Sequence, residues 1–231
     1  MISQASPHRR GLALVLLSFT AGTMDAIAFL ALGDVFTSAM SGNTILFGLA
    51  LGQGHLAAAS RSMAAFAGYV FGVAGAAVTL KAPDRGIRRT LELELLLLAA
   101  FAGWWMVRAG GANDGVSHPY GLIILSAIAM GLQGALGRAI GVSGIPTIVI
   151  TSTLTAIVGG LAERALAREK PLVLAARRQQ IAAFTAYLVS AIIAGIAVWS
   201  GWLAVMPFVP LAAVLVLWMG LQFGVVQLEP D

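Results

Sequence analysis

The chain has no cysteine, only three histidines and very little charge. Without cysteine there can be no disulfide, thiolate metal site or cysteine nucleophile, and the redox state of the compartment leaves no mark on the sequence. The histidines, His8, His55 and His118, fall in a tail and in breaks between apolar stretches, with no metal-ligand spacing. HExxH, GxSxG and P-loop patterns are missing too. Ser41 as an intramembrane nucleophile would find no membrane-embedded histidine to activate it. The expectation is no enzyme, no cofactor and no metal.

Charged residues make up 10% of the 231 positions and hydrophobic residues 59%, against roughly 25% and 45–50% in ordinary soluble domains. Apolar runs cover residues 11–33, 36–53, 61–80, 91–108, 119–140, 146–162, 180–201 and 205–227. Most are long enough to cross the hydrocarbon core of a bilayer, which takes roughly 20 residues of helix. The chain is therefore expected to be an all-α polytopic membrane protein, with lipid as its main partner and no soluble domain. The net charge of +4 does not call for nucleic acid, because the basic residues lie in short connections, as membrane topology dictates. His8-Arg9-Arg10 before residues 11–32 imitates a signal peptide, but the apolar run is too long and more spans follow. It reads as an uncleaved first helix.

The breaks are Gly33-Asp34, Gly52-Gln-Gly-His55, Lys81-Ala-Pro-Asp-Arg85, residues 110–115, residues 141–144, the charged run Glu163 to Arg178, and Gly201 to Pro207. Three connections are basic: the N-terminus (Arg9, Arg10), the third (Lys81, Arg85, Arg88, Arg89) and the sixth (Arg164, Arg168, Lys170, Arg177, Arg178). The positive-inside rule puts all three in the cytoplasm. Three apolar segments separate the first two, so simple crossings would force one basic loop outside. The conflict disappears if residues 36–53 and 146–162 enter and leave on one side as re-entrant or broken elements, which membranes tolerate only inside protein or along a cavity. Six spans remain, with both termini cytoplasmic; eight plain spans are the alternative.

The halves resemble each other. Ala64-Ala-Phe-Ala-Gly-Tyr69 matches Ala182-Ala-Phe-Thr-Ala-Tyr187, and Leu32-Gly33 with Thr37 to Asn43 resembles Ile140-Gly141 with Thr147 to Thr153. In that register Asp25 stands opposite Gln133. A single membrane domain built of two repeats, residues 1–110 and 111–231, follows, and three spans per repeat make the second inverted relative to the first.

Chemistry is confined to a few residues. Asp25 is the acid in the middle of a span, and intramembrane acids usually carry function; the bland reading is a carboxylate hydrogen-bonded to Ser and Thr of a neighbouring element. Thr37, Ser41 and Thr44 share one face if they lie on one helix, continued by Gly48, and Thr147, Thr151 and Thr155 do so in the second half. Such faces suit a small solute or a dehydrated ion at broken helices, and equally suit helix-to-helix contact. Asn43 and Gln133 add amides and Thr153 a hydroxyl, while Pro146 removes a donor where the second element would begin. Gly68, Gly72 and Gly75 form a small-residue face that packs within the chain or in a homodimer. Glu92 and Glu94 are read as interfacial residues opening a helix, Arg138 as snorkelling, and the five tryptophans mostly as an aromatic belt.

Ala21-Gly-Thr-Met-Asp-Ala-Ile and Phe36-Thr-Ser-Ala-Met-Ser-Gly-Asn-Thr44, with Ala129-Met-Gly-Leu-Gln133 and Pro146 to Thr153 later, resemble the YoaK-like family of bacterial integral membrane proteins over nearly the whole chain. The resemblance implies six spans and leaves function open, the family being uncharacterised. Ser152 and Thr153 depart from the Gly and further Thr or Ser often found there, which puts in doubt that both halves bind alike. The resulting expectation is a secondary transporter or channel-like permease of the bacterial inner membrane. Its solute or ion would be held near the midplane by Asp25, Thr37, Ser41, Asn43, Thr44, Gln133, Thr147, Thr151 and Thr153. The alternative is a non-transporting membrane scaffold.

Overall fold

A computed structural model of the chain describes residues 7–82, 85–110, 119–140, 154–155, 158–159 and 171–224. Among the described residues the regular structure is helical: α1 (Pro7–Ala31), α2 (Met40–Gly52), α3 (Leu56–Thr79), α4 (Gly86–Gly110), α5 (Tyr120–Ala139), α6 (Pro171–Trp199), a 3-10 turn (Leu203–Val205) and α7 (Phe208–Gln222). All but α2 belong to the six stretches long and apolar enough to cross a membrane. The protein is a polytopic helical membrane protein. Several helices outrun the apolar runs, because the hydrogen-bond ladder continues into polar flanks. α4 takes in Ile87-Arg88-Arg89, and α6 starts within the charged run expected to be a break, at Pro171, whose missing N–H costs nothing in a first turn.

Residues 36–53 are not one continuous helix. α2 has 13 residues, about 20 Å at 1.5 Å per residue, well short of the roughly 30 Å hydrocarbon core. The chain leaves α1 through Gly33 and Asp34, both in the left-handed region at φ 96° and 58°, a conformation open to Gly and tolerated by Asp. Residues 35–39 are irregular and fold back along α1, so that Thr37 and Ser38 reach the side chain of Asp25. Phe36 stacks on Phe29, ring centroids 5.1 Å apart. α2 then runs out again to a tight Gln53-Gly54-His55 connection. Arg61 near the start of α3 donates to the Gly33 carbonyl at 3.0 Å, so α3 begins beside the end of α1. The first of the two expected re-entrant elements thus has the geometry of a broken helix. The second, residues 146–162, lies almost wholly outside the described residues.

Two helix crossings dominate the packing, α1 on α6 and α3 on α5. In the first, Gly11 faces Gln179, and Gly22 faces Tyr187 and Ser190; the helices run parallel. In the second, Gly68 faces Ile124 and Ala127, while Gly72 faces Ile128 and Gly131; these are parallel to each other and antiparallel to the first pair. A Cβ at Gly131 would stand on the Tyr69 carbonyl oxygen, and one at Gly22 on the Tyr187 carbonyl oxygen. Removing the side chain lets backbones meet, which is how membrane helices gain contact when lipid is as apolar as their own side chains. Gly68 and Gly72 therefore pack within the chain, against α5. α4 and α7 complete the bundle against α5, α1 and each other. The apolar core runs through Leu17, Met24, Ile27, Leu91, Leu98, Phe101, Ile123, Met130, Leu136 and Leu217.

Candidate functional site

Asp25 is 2% exposed and sits where α1, the break before α2, and α6 meet. Its Oδ1 accepts from the backbone N–H groups of Thr37 and Ser38, each at 2.7 Å, and from the Thr37 hydroxyl at 3.4 Å. Its Oδ2 accepts from the Ser38 hydroxyl at 2.6 Å and the Tyr187 hydroxyl at 2.7 Å. Five donors converge on a group that, when ionised, only accepts. Two are successive backbone N–H groups at a helix break, which otherwise would have no partner at that depth. The carboxylate thus does for the irregular segment what a helix ladder cannot, and it ties that segment to α6.

Asn43 performs a related service. Its Oδ1 accepts from the Phe36 N–H at 2.9 Å and its Nδ2 donates to the Phe36 carbonyl at 2.6 Å. Both backbone groups of Phe36 are satisfied by one fully buried amide. Asn43 is therefore engaged with the break itself and does not face Asp25.

The expected stripe of Thr37, Ser41 and Thr44 is not a stripe. Thr37 precedes α2 and is fully buried, whereas Ser41 and Thr44 lie on exposed turns of α2, with the Thr44 hydroxyl turned back to the Met40 carbonyl at 3.0 Å. The i, i+4, i+7 spacing presumes a helix from Thr37 onward, and the break at residues 35–39 removes that premise. Gln133 is buried, but Nε2 donates to the Leu17 carbonyl at 3.0 Å and Oε1 has no partner among the described residues. Leu17 is eight residues before Asp25, about 12 Å along α1. The amide makes no hydrogen bond to Asp25. Thr147, Thr151 and Thr153 lie outside the described residues.

Two members of the junction were not singled out from sequence. Ser38 lies inside the Phe36 to Thr44 motif, off the i, i+4, i+7 spacing of Thr37, Ser41 and Thr44. Tyr187 ends the repeated Ala-Ala-Phe-x-x-Tyr segment and signals itself only by matching Tyr69. Glu94 departs further: it is fully buried, with neither carboxylate oxygen partnered among the described residues, on the apolar stripe of Leu91, Leu98 and Phe101. Its neighbour Glu92 keeps the expected half-exposed role, paired with Arg88 at 2.9 Å. Trp105 is likewise buried, with an unpartnered indole N–H, and so is not part of a belt; Trp199 and Trp202 are exposed.

A family model described as a protein of unknown function, DUF1275, matches residues 13–220. The chain belongs to this family. It is 33% identical over 165 residues, 69% of this chain and 70% of the relative, to the UPF0700 transmembrane protein YoaK of Bacillus subtilis (strain 168). No solved structure matches. The family span runs from α1 to the last turns of α7, and so takes in the Asp25 junction, both crossings and Glu94.

Proposed function

We propose that this membrane protein is a secondary transporter or channel-like permease for a small solute or ion, built of two inverted halves, in which the Asp25 junction is the tie that closes the central region. The observation that carries the reading is the convergence, on one buried carboxylate, of backbone donors from a broken helix of the first half and a tyrosine hydroxyl from the second. Broken helices with freed backbone groups near the midplane are the usual setting of transporter sites, and alternating access moves one half against the other. A hydrogen-bonded tie across the halves must then break and reform. Protonating Asp25 would remove an acceptor lone pair and weaken that tie, which gives protons a means of coupling.

The parallel pairs α1 with α6 and α3 with α5, running in opposite directions, support the inverted repeat. The same pairing sets the starts of α1 and α6 side by side, and α4 starts at that end of the bundle too. The helix ends that flank the three basic connections thus share one side, which supports cytoplasmic termini in an inner membrane. A cysteine placed at Gly54 is then labelled from the periplasmic side by an impermeant thiol reagent; labelling from the cytoplasm would overturn the topology.

The transport reading is tested in proteoliposomes challenged with monovalent salts and small neutral osmolytes, with and without an imposed pH gradient. Flux above empty vesicles that depends on pH, and loses that dependence in Asp25→Asn, is expected. Unchanged flux in Asp25→Asn would overturn the coupling role. Absence of flux for every probe would favour the second reading, a scaffold, which draws on a specific observation: Asp25 is 2% exposed and both its oxygens are engaged by Thr37, Ser38 and Tyr187.

A further inference from the structure

We propose that Glu94 is an intramembrane proton-binding site, separate from the Asp25 junction, which holds a proton in the packing seen here and exchanges it toward the basic connection between α3 and α4.

Glu94 lies eight residues into α4, about 12 Å from its start. It is 0% exposed, and Oε1 and Oε2 have no hydrogen-bond partner among the described residues. An ionised carboxylate with no donor and no counter-ion in an apolar interior costs far more than a neutral acid, so the group takes up a proton unless something pairs with it. Among the described residues the neighbours offer nothing to pair. α4 packs against α5, α7, α3 and the 3-10 turn. α7 and the 3-10 turn carry no titratable side chain at all. α5 carries Tyr120 at its start and the exposed Arg138 in its last turn, and α3 carries Arg61 and Tyr69. On α4 itself, Arg88 is engaged with Glu92, and Arg89 and Arg108 stand on exposed turns. Arg88 with Glu92 is the one ion pair among the described residues, and it does not include Glu94.

The route for exchange is asymmetric. One turn toward the helix start, the fully buried Thr90 hydroxyl donates to the Gly86 carbonyl at 2.8 Å and lies 2.7 Å from the Thr79 hydroxyl at the end of α3. Thr79 adjoins the connection that carries Lys81 and Arg85. In the other direction the same stripe presents Leu98 and Phe101, both fully buried. Hydroxyls lead out on the basic side, and hydrocarbon closes the opposite side.

The test is infrared spectroscopy of the full-length protein in lipid bilayers, with H₂O replaced by D₂O. Wild type shows the carbonyl stretch of a protonated carboxyl free of hydrogen bonds; Glu94→Gln loses it and Asp25→Asn keeps it. In wild type grown on carbon-13 glutamate the band shifts, which preserves the test should Glu94→Gln fail to fold. Thr90→Val, which keeps the shape and removes the hydroxyl, slows the deuterium shift several-fold. A band that survives Glu94→Gln, or that does not move with labelled glutamate, would overturn the proposal, and unchanged exchange in Thr90→Val would overturn the route. None of these readouts requires a transported solute, so their outcome is independent of the permease reading.

Discussion

The α1–α6 crossing and the α3–α5 crossing share a backbone arrangement and differ in chemistry. In each, a glycine of one helix approaches the carbonyl of a tyrosine on the other: Gly22 that of Tyr187, and Gly131 that of Tyr69. Those tyrosines are the residues that the sequence repeat pairs. Yet the first crossing adds Asp25, with five donors, and the second adds Gln133, whose amide turns away to Leu17. Glycine contacts fix how closely helices approach, while a polar group inside a membrane persists only where it has a task. The same glycine contact recurs at both crossings, and the polar junction stands at one of them.

Asp25→Ala should open the widest gap between the crossings. It removes the acceptor that the N–H groups of Thr37 and Ser38 and the hydroxyls of Ser38 and Tyr187 share. Unsatisfied buried donors cost about 1–3 kcal/mol each, so a loss of ~3 kcal/mol or more is expected. Unfolding of the purified protein in detergent measures it. A change below ~0.5 kcal/mol would mean that the junction holds nothing.

Substitution of the glycines asks whether the crossings are mechanically equivalent. Gly22→Leu and Gly131→Leu each drive a side chain into a tyrosine carbonyl, with about 1–3 kcal/mol expected for overpacking. Similar losses at both positions sharpen the equivalence; a loss at one alone breaks it. Tyr187→Phe comes next, removing a hydrogen bond to a charged acceptor at a cost of about 1.5–3 kcal/mol. Tyr69→Phe should stay within ~0.5 kcal/mol, as the Tyr69 hydroxyl makes no hydrogen bond among the described residues. Equal effects of the two would erase the chemical difference.

Spans and basic connections were legible because each rests on a local property: length of an apolar run, charge of a loop. The short second element was legible from charge parity, although its length would just have let it cross. The ligands of Asp25 were not legible, because four of its five donors belong to the fold of the break, where residues 35–39 leave helical spacing, and one comes from α6. Thr37 was named for the wrong geometry and proves to contact Asp25 through another. Glu94 was misread because two acids near a helix start look interfacial, and only the register of Leu91, Leu98 and Phe101 distinguishes the buried one from Glu92.

The smallest effect concerns Gln133, and it bears on whether the second half contributes anything polar. Nε2 donates to the Leu17 carbonyl, an oxygen that already accepts within α1, while Oε1 is buried without a partner. Gln133→Leu removes a bond of about 1 kcal/mol and also an unsatisfied carbonyl that costs about 1–3 kcal/mol. The changes nearly cancel, with a slight gain expected in unfolding measurements in detergent. A loss well above ~1 kcal/mol would mean that Oε1 finds a donor in the working protein. Gln133 would then be a polar counterpart of Asp25 after all, and the two crossings would be alike in chemistry as well as in packing.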